Sequence, residues 1–441
     1  MIMFINRKEE QEKLLEIAKS KRAELMLVYG RRRVGKSRLL IEFAKKTNAL
    51  YLLADISENI LEILAKQVRE EFIRFSTWED FFEFLYKSKY KIIIIDEFQY
   101  LYQINKAWPT ILQRWWEKIK NSDKKIILCG SIISTIYKIS MGYGSALYGR
   151  KTYEMNIIPL KFKFIKDFFP NYNFEQLVEV YSILGGIPRY LEEFDKMLNI
   201  EENIKKKILD KTTFLYNEPI NLLFEEFRTP AAYSSILEAI TNGYVKFGEI
   251  ADISKIQGNK LSKYLLVLER VGIIEKEAPI TEKKMKITRY KLKDNFYKFW
   301  FKFIFRNKSL IEQGLQDEIF SLIKSDFNSY IGKSFEDICK DYIIDSKIFN
   351  FTKIGNWWHK DKEIDIIALD EKNNNILFAE CKWQSKINAK KVLADLKDKT
   401  ESFNQKKKSY VLFAKSFREK FREDNLFLID LNDLKNWVYR D

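Results

Sequence analysis

An octapeptide near the amino terminus, GRRRVGKS, sets two glycines, a lysine and a serine at fixed spacing. It matches GxxxxGK[ST] and lies between a predicted strand and a predicted helix. Glycines let backbone N–H groups approach phosphates, the lysine reaches the β- and γ-phosphate oxygens, and the serine hydroxyl can ligate Mg²⁺. The predicted phosphate-binding residues are Gly30, Arg31, Arg32, Arg33, Val34, Gly35, Lys36, Ser37 and Arg38.

Two acidic residues end the apolar segment KIIIIDEFQ. Four isoleucines predict a strand covered on both faces, so Asp96 and Glu97 fall at its carboxyl end, where parallel α/β sheets bind ligands. We expect Asp96 to hold Mg²⁺ together with Ser37, and Glu97 to orient or deprotonate the attacking water. The alternative is that two acids simply end a strand, and the phosphate loop upstream argues against it.

Three further side chains could complete this site. Ser131 ends the next predicted strand, KKIILCGS, where it can sense the γ-phosphate or the lytic water. Arg150, in SALYGR, could act as an arginine finger within one chain or across a subunit boundary. Arg189, just inside a helix that begins at Pro188, could contact the phosphates from a helical lid. The catalytic residues predicted here are Lys36, Glu97 and Arg150.

The segments FINRKEEQEKL, YGRRRVGKSRLL, IIDEFQ, LYGR and GGIPRYL follow one another in the first half of the chain. Together they resemble the archaeal-type ATPases of the AAA+/STAND superfamily. The resemblance implies a P-loop NTPase core with a parallel sheet and a small helical lid, and ATP as the ligand. It places Lys36, Ser37, Asp96 and Glu97 at the matching motif positions.

The middle of the chain predicts three short helices followed by a charged ribbon. The helices begin near Pro230, the third runs from Lys260 to Arg270, and Gly272 is a suitable residue to end it. This order is typical of a winged helix-turn-helix, whose recognition helix enters the DNA major groove. A rigid spacer between proteins is the alternative. Candidate phosphate contacts are Lys255, Lys260, Lys263, Arg270, Lys283, Lys284 and Lys286.

Near the carboxyl terminus, ILFAECKW places Glu380 and Lys382 on one face of a predicted strand. With a hairpin loop centred between Lys372 and Asn373, Asp365 lies directly opposite Glu380. Opposed carboxylates repel unless a cation or a proton lies between them. Their oxygen atoms are hard ligands, which suit Mg²⁺ or Mn²⁺ as that cation. Lys382 could then position a water and stabilise charge on a phosphate.

Glu336, on a predicted helix upstream, completes a helix, three-strand, helix, strand order. With Asp365 and the ECK tripeptide it resembles the PD-(D/E)xK restriction-endonuclease-like nucleases, although Ile364 stands where that family usually has a proline. The resemblance implies metal-dependent phosphodiester cleavage. It implies Glu336, Asp365 and Glu380 as metal ligands and Glu380 and Lys382 as catalytic residues. A domain that keeps the fold without cleaving is the open alternative.

The 441 residues carry a formal net charge of +15 and three scattered cysteines. The charge favours an anionic partner such as double-stranded DNA, although basic surfaces mean little in a lysine-rich proteome. No window reaches the roughly 18 apolar residues that span a bilayer, and the cysteines have no paired spacing. We therefore expect a cytoplasmic protein with no membrane partner.

The length predicts several domains. The expected ranges are an ATPase core at 1–158, a helical lid at 159–227, a winged helix at 228–305, a linker at 306–330 and a nuclease-like α/β domain at 331–441. We expect ATP binding or hydrolysis to regulate action on DNA, with a nucleotide-switched regulator and a signalling scaffold as alternatives. An arginine finger across subunits would require a homo-oligomer, which one sequence leaves open.

Overall fold

The computed structural model of the chain describes residues 5–68, 73–141, 145–227, 229–281 and 288–440. The chain divides into two compact units. The first comprises Met1–Leu160 and Ile187–Arg189, and the second comprises Lys161–Gly186 and Tyr190–Asp441.

The first unit contains a parallel five-stranded sheet. Its strands, in the order β2-β3-β4-β1-β5, are β1 (Glu24–Tyr29), β2 (Leu50–Leu53), β3 (Ile92–Asp96), β4 (Lys125–Gly130) and β5 (Tyr153–Asn156). Its helices are α1 (Lys8–Ala18), α2 (Lys36–Thr47), α3 (Ile60–Gln67), α4 (Trp78–Lys87), α5 (Gln99–Ile104), α6 (Trp108–Ile119) and α7 (Ile133–Ile136), the last continued by a π-helical turn at Tyr137–Met141.

Both faces of this sheet are covered, which explains its nearly uninterrupted apolar strands. Leu25 and Leu27 of β1 belong to a core with α3, α4 and α6, whereas Met26 and Val28 belong to a second core with α1 and α2. Because all strands are parallel, the residues that follow β1, β3 and β4 meet at one edge of the sheet. The phosphate loop and the acidic pair therefore share that edge.

The second unit begins with helices. They are a 3₁₀ helix at Phe162–Asp167, α8 (Phe174–Leu184), α9 (Pro188–Leu191), which begins in the first unit, α10 (Ile200–Asn203), a π-helical turn at Ile204–Ile208 and α11 (Phe214–Glu226). Asn173 and Asn199 begin α8 and α10 with reciprocal capping hydrogen bonds.

Three helices and a ribbon follow, in the order expected from the sequence. They are α12 (Pro230–Thr241), α13 (Phe247–Ser254), α14 (Gly258–Val271) and the antiparallel strands β6 (Ile274–Glu277) and β7 (Arg289–Leu292). Gly272 ends α14 with φ 76°, a conformation that glycine adopts readily. Lys283, Lys284 and Lys286 lie outside the described residues.

A mainly helical segment connects the ribbon to the last sheet. It contains α15 (Asn295–Phe299), a π-helical turn at Trp300–Ile304, a 3₁₀ turn at Phe305–Asn307, α16 (Lys308–Glu312) and the 31-residue helix α17 (Gln316–Ser346). The segment expected to be a linker is therefore largely helical. The boundary expected at residue 330 falls inside α17.

The last sheet has five strands in the order β12-β11-β10-β9-β8. Its elements are β8 (Lys353–His359), β9 (Lys362–Asp370), β10 (Asn375–Lys382), α18 (Ala389–Lys399), β11 (Lys407–Ala414), β12 (Leu426–Ile429) and α19 (Leu431–Tyr439). Strands β8, β9 and β10 pair antiparallel, whereas β10, β11 and β12 pair parallel. Ala379 pairs with Ile366, so the predicted hairpin register is confirmed.

The edge strand β8 contacts the segment that follows β6. The backbone N–H of Ile280 donates to the carbonyl of Asn356 at 3.0 Å. The guanidinium of Arg289 lies 4.5 Å from the ring centre of Trp358 and 3.5 Å from a carboxylate oxygen of Glu363. The ribbon thus shields part of an otherwise open sheet edge.

Candidate functional site

The phosphate loop joins β1 to α2 and depends on glycine at both ends. Gly30 has φ 151°, and a Cβ atom there would lie 2.3 Å from the carbonyl oxygen of Ile157. Gly35 has φ 93° and immediately precedes α2. Only glycine fits at Gly30 without moving the backbone of Ile157, just after β5.

Lys36 begins α2 and is 4% exposed. Its Nζ donates to the carbonyl oxygens of Gly30 at 2.9 Å and Arg31 at 3.0 Å, so the ammonium group curls back over the loop. A positive charge over a ring of backbone amides at a helix N-terminus is the arrangement that binds nucleotide phosphates.

Asp96 is fully buried at the end of β3. Its Oδ2 accepts a hydrogen bond from the hydroxyl of Tyr51 at 2.6 Å, and its Oδ1 accepts one from the backbone of Glu97 at 2.9 Å. Burial, the charge of Asp96 and this hydrogen bond raise the pKa of Tyr51, while a hydrogen bond with Ser37 opposes the rise. Tyr51 therefore lies against both residues predicted to ligate Mg²⁺.

The oxygen atoms of Ser37 and Asp96 are the hard donors that Mg²⁺ prefers, and this ion usually completes its shell with waters and phosphates. Within the described ranges, no group of three or more His, Cys, Asp and Glu side chains is arranged to hold a metal ion. Ser37 and Asp96 therefore fit a magnesium ion that is held partly by the phosphates of a bound nucleotide.

Glu97 follows Asp96 with φ 54°, an uncommon conformation for a residue with a side chain. Its Oε2 accepts hydrogen bonds from the hydroxyl of Ser131 at 2.7 Å and from Nε2 of Gln99. The structure thus brings the acidic pair and Ser131 together. Sequence reasoning missed Tyr51 and Gln99, although Gln99 stands in the IIDEFQ segment.

Arg7 is a second residue that sequence reasoning missed. It is 5% exposed, and its guanidinium donates to the carbonyl oxygens of Val34 at 2.9 Å and Ile158 at 2.8 Å. It therefore ties the phosphate loop to the segment after β5. Its position in the FINRKEEQEKL segment was the signal available in the sequence.

The two candidate arginines lie at different places in the first unit. Arg189 follows Pro188, whose Cγ is 3.9 Å from the position of a Cβ on Gly35, so it lies next to the phosphate loop. Arg150 lies before β5, at the amino ends of the strands. Tyr153 pairs with Met26, so at about 3.3 Å per residue Arg150 is roughly 20 Å from Gly30.

Arg150 instead contacts its surroundings at that edge. Its Nη1 donates to the carbonyl of Ala146 at 3.3 Å, and its Nε lies 3.5 Å from Glu117. Arg150 therefore does not lie beside the phosphate loop of its own chain, and a finger role within one chain stays a prediction. The role across a subunit boundary stays a prediction.

A second group of charged side chains lies in the last sheet. Glu380 is 6% exposed, and its Oε1 accepts a hydrogen bond from Nζ of Lys382 at 2.7 Å. Nζ of Lys399, at the end of α18, donates to both carboxylate oxygens at 3.2 Å. Burial lowers the pKa of Lys382, but Glu380 outweighs this effect and the pKa is raised. Lys399 is absent from the D…ExK pattern and was missed.

Asp365 lies on the neighbouring strand, one position beyond the Ala379–Ile366 pair. Its Oδ2 accepts a hydrogen bond from the backbone N–H of Cys381 at 2.7 Å. Burial and the charge of Glu380 raise the pKa of Asp365, and burial and the charge of Asp365 raise the pKa of Glu336 on α17. Three carboxyl groups thus influence one another, and a cation nearby would relieve their repulsion.

The next residue of α17 joins a different charged group. Asp337 contacts Nζ of Lys291 at 3.2 Å and Nζ of Lys298 at 3.7 Å. Lys291, on β7, also lies 3.5 Å from Glu277 and 3.7 Å from Glu275 on β6. Ion pairs therefore connect the ribbon to the helix that carries Glu336.

The candidate DNA-contacting lysines lie on an exposed surface. Lys260, Lys263 and Arg270 are exposed along α14, and Lys255 is exposed just after α13 with φ 58°. Apolar residues of α14, among them Leu261, Leu265 and Leu268, face the interior. The helix is therefore amphipathic, with a basic exposed face.

Two parts of the chain match known families. Residues 4–194 match an ATPase domain found predominantly in Archaea. Residues 300–392 match a family described as archaeal and bacterial proteins of unknown function.

An uncharacterized protein of Methanocaldococcus jannaschii is 39% identical over 446 residues, covering 98% of this chain and 100% of that protein. An uncharacterized ATP-binding protein of the same organism is 49% identical over 43 residues, covering 10% of this chain and 73% of that protein. The solved Walker-type ATPase of Pyrococcus abyssi aligns with a TM-score of 0.51 and 22% identity, covering 68% of this chain and 96% of that chain.

The fold and the phosphate loop define a P-loop ATPase, and this chain is an enzyme of that class that binds ATP. It belongs to the same family as the Methanocaldococcus jannaschii protein that it matches over its length. In the described part of the chain, no helix is long and apolar enough to cross a membrane.

Proposed function

We propose that ATP binding and hydrolysis in the first unit control the action of the second unit on double-stranded DNA. The observation that carries the proposed action on DNA is the Asp365–Glu380 pair. These largely buried carboxylates lie on paired strands beside Lys382 and Lys399. Closely spaced acids next to lysines suit metal-assisted cleavage of a phosphodiester.

In the first unit, Lys36 neutralises the β- and γ-phosphate oxygens, and Ser37 and Asp96 hold Mg²⁺. When bound, this ion would offset the negative charge of the phosphates. Glu97 orients the attacking water and accepts its proton, and Ser131 fixes the Glu97 carboxylate. Arg189, beside Pro188, contacts the phosphates.

In the second unit, Asp365 and Glu380, with Glu336 nearby, are the residues that would hold Mg²⁺ or Mn²⁺, although these three carboxyl groups do not form a metal-binding cluster in the part of the chain that the structure describes. When bound, the ion would make a water more acidic and would offset phosphate charge. Lys382 orients that water and stabilises the negative charge that develops on the phosphate. The raised pKa values of Asp365 and Glu336 support this assignment, because buried acids that repel one another gain most from a divalent cation.

Helices α12 to α14 with the β6–β7 ribbon form a winged helix-turn-helix in this proposal. The exposed face of α14 enters the major groove, and Lys255, Lys260, Lys263 and Arg270 contact phosphates. The formal net charge of +15 supports an anionic partner. Such contacts make affinity fall steeply as the salt concentration rises.

The test of cleavage uses plasmid DNA with Mn²⁺. We expect cutting by the unchanged protein and a loss of at least about 100-fold in Glu380→Ala and Lys382→Ala. Glu371→Ala and Lys353→Ala are matched controls, because this exposed pair lies 2.7 Å apart on the same sheet. Equal cutting by all four variants would reject the assignment.

A nucleotide-switched regulator that binds DNA without cutting it is a second candidate. The contacts of Lys382 and Lys399 favour it, because two ammonium groups can balance Glu380 without a metal. Binding without cutting in Mn²⁺ would support this candidate. Absence of duplex binding at low salt would favour a scaffold with no DNA partner.

A further inference from the structure

Gln99 lies at the start of α5, beside the acidic pair, and is fully buried. Its Nε2 donates to Oε2 of Glu97 and lies 3.5 Å from Oγ of Ser131. Ser131 donates to the same oxygen of Glu97 at 2.7 Å. One carboxylate oxygen of Glu97 is therefore held by two donors, whereas Oε1 has no protein donor among the residues that the structure describes.

The other end of the carboxamide is unusual. Oε1 of Gln99 is buried and accepts no hydrogen bond within the described residues. A rotated amide would place this oxygen against the Glu97 carboxylate, so repulsion fixes its orientation. Glycine at position 130 leaves room for this oxygen, because a Cβ atom there would lie only 2.4 Å from Oε1 of Gln99. A buried acceptor without a donor is unfavourable, and in a native structure it calls for another explanation than stability.

The backbone of Glu97 is held as firmly as its side chain. Its φ of 54° is uncommon for a residue with a side chain, and its N–H donates to Oδ1 of Asp96 at 2.9 Å. Such backbone conformations cluster at active sites, where surrounding contacts maintain them. Asp96 fixes the main chain, and Gln99 and Ser131 fix the carboxylate.

We propose that Gln99 is a positioning residue for ATP hydrolysis, which together with Ser131 holds Glu97 by Oε2 so that Oε1 meets the attacking water. The proposal rests on the proposed role of Glu97 as the base. The water oxygen bonds to the γ-phosphorus while the bond from that phosphorus to the β–γ bridging oxygen breaks. The water proton passes to Oε1 of Glu97 and then to the phosphate product, and Gln99 exchanges no proton.

Gln99→Met tests the proposal, because it keeps the side-chain volume and removes both polar groups. We expect kcat to fall about 10- to 100-fold, as a general base loses its orientation. The affinity for a nonhydrolysable ATP analogue stays within about twofold, since Gln99 contributes nothing to ground-state binding. The thermal midpoint stays equal or rises, because the buried acceptor without a donor is gone.

Gln67→Met is the matched control. Gln67 bonds the backbone N–H and carbonyl of Leu53, so its loss lowers the thermal midpoint and leaves kcat unchanged. A Gln99→Met protein with kcat within about twofold of the unchanged enzyme overturns the proposal. A joint fall of kcat, analogue affinity and midpoint also overturns it, because that result describes a structural role.

Glu97→Gln is assayed in parallel to separate two failures. If Glu97→Gln keeps kcat, the role of Glu97 as base is wrong and the role of Gln99 falls with it. If Glu97→Gln loses kcat while Gln99→Met keeps it, only the role of Gln99 is wrong.

Discussion

Lys399 and Glu380 are joined by two hydrogen bonds, each 3.2 Å long, from one ammonium group to both carboxylate oxygens. Lys399 ends α18 and Glu380 lies on β10, so the contact depends on how helix and sheet pack. With Lys382 on the same carboxylate, Glu380 is balanced by two lysines. A divalent cation at Glu380 would compete with both.

Lys399→Met removes one of these cations and retains most of the side-chain length. We expect the free energy of unfolding to fall by about 1–3 kcal/mol, because the buried carboxylate keeps only one partner. Mn²⁺ should raise the thermal midpoint more in this variant than in the unchanged protein. Thermal scans with and without Mn²⁺ measure both effects. Lys397→Met is the control, since its pair with Glu423 is exposed. An equal response to Mn²⁺ in all three proteins would contradict the prediction.

Gly30→Ala should weaken ATP binding at least about tenfold, because the added Cβ would meet the carbonyl of Ile157 at 2.3 Å and displace the phosphate loop. Titration with an ATP analogue measures the effect.

Gly248→Ala is the control. Gly248 is exposed in α13 with no atom within 4 Å of an added Cβ, so this change should stabilise the fold by about 0.5–1 kcal/mol without affecting ATP. Equal ATP affinity in both variants would refute the steric argument.

Stability should depend on pH through Glu179. Burial and the charge of Glu175 raise its pKa to about 7, although Lys415 opposes the rise. In the unfolded chain the pKa of Glu179 is about 4.3. At pH values between about 4.3 and about 7, the folded protein therefore binds more protons than the unfolded chain. The stabilisation is complete below the unfolded pKa and is lost as pH rises through about 7.

The unfolding free energy should therefore fall less between about pH 5 and pH 8 in Glu179→Gln than in the unchanged protein. We expect a difference of roughly 1–2 kcal/mol, because partial exposure of Glu179 to solvent weakens the effect. Urea unfolding at both pH values measures this difference. The same slope in the variant and the unchanged protein would show that Glu179 titrates alike in both states.

Lys291→Met should destabilise the second unit by about 2–4 kcal/mol, because three carboxylates lose their shared cation. Adding Asp337→Asn should recover part of that loss, because without Lys291 the charge of Asp337 is balanced only by Lys298, 3.7 Å away. Denaturant unfolding of both single variants and the double variant gives the coupling free energy. If the changes in unfolding free energy of the two single variants simply add up in the double variant, this ion pair does not link the ribbon to the helix.

The sequence was most informative where chemistry and periodicity coincide. GRRRVGKS and KIIIIDEFQ predicted the strands and the edge at which they end, because a phosphate loop requires a strand before it and a helix after it. Counting from the turn at Lys372–Asn373 gave the correct register of β9 and β10, since side chains alternate strictly along paired strands.

Contacts between distant elements could not be predicted in this way. The bonds of Tyr51 to Asp96 and of Lys399 to Glu380 each join two elements whose packing no local pattern specifies. The position of Arg150 depends on the direction of β5, which places it at the amino edge of the sheet. Residues 316–330, expected to be part of a linker, belong to one long helix that continues to Ser346.

The central claim is that ATP in the first unit changes how the second unit acts on DNA. The most direct test is the affinity for a DNA duplex at fixed salt, with and without a nonhydrolysable ATP analogue, for the unchanged protein and Lys36→Ala. The account predicts a change of about 5-fold or more in the unchanged protein and none in the variant. The same DNA affinity with and without the analogue, or an equal response in Lys36→Ala, would contradict it.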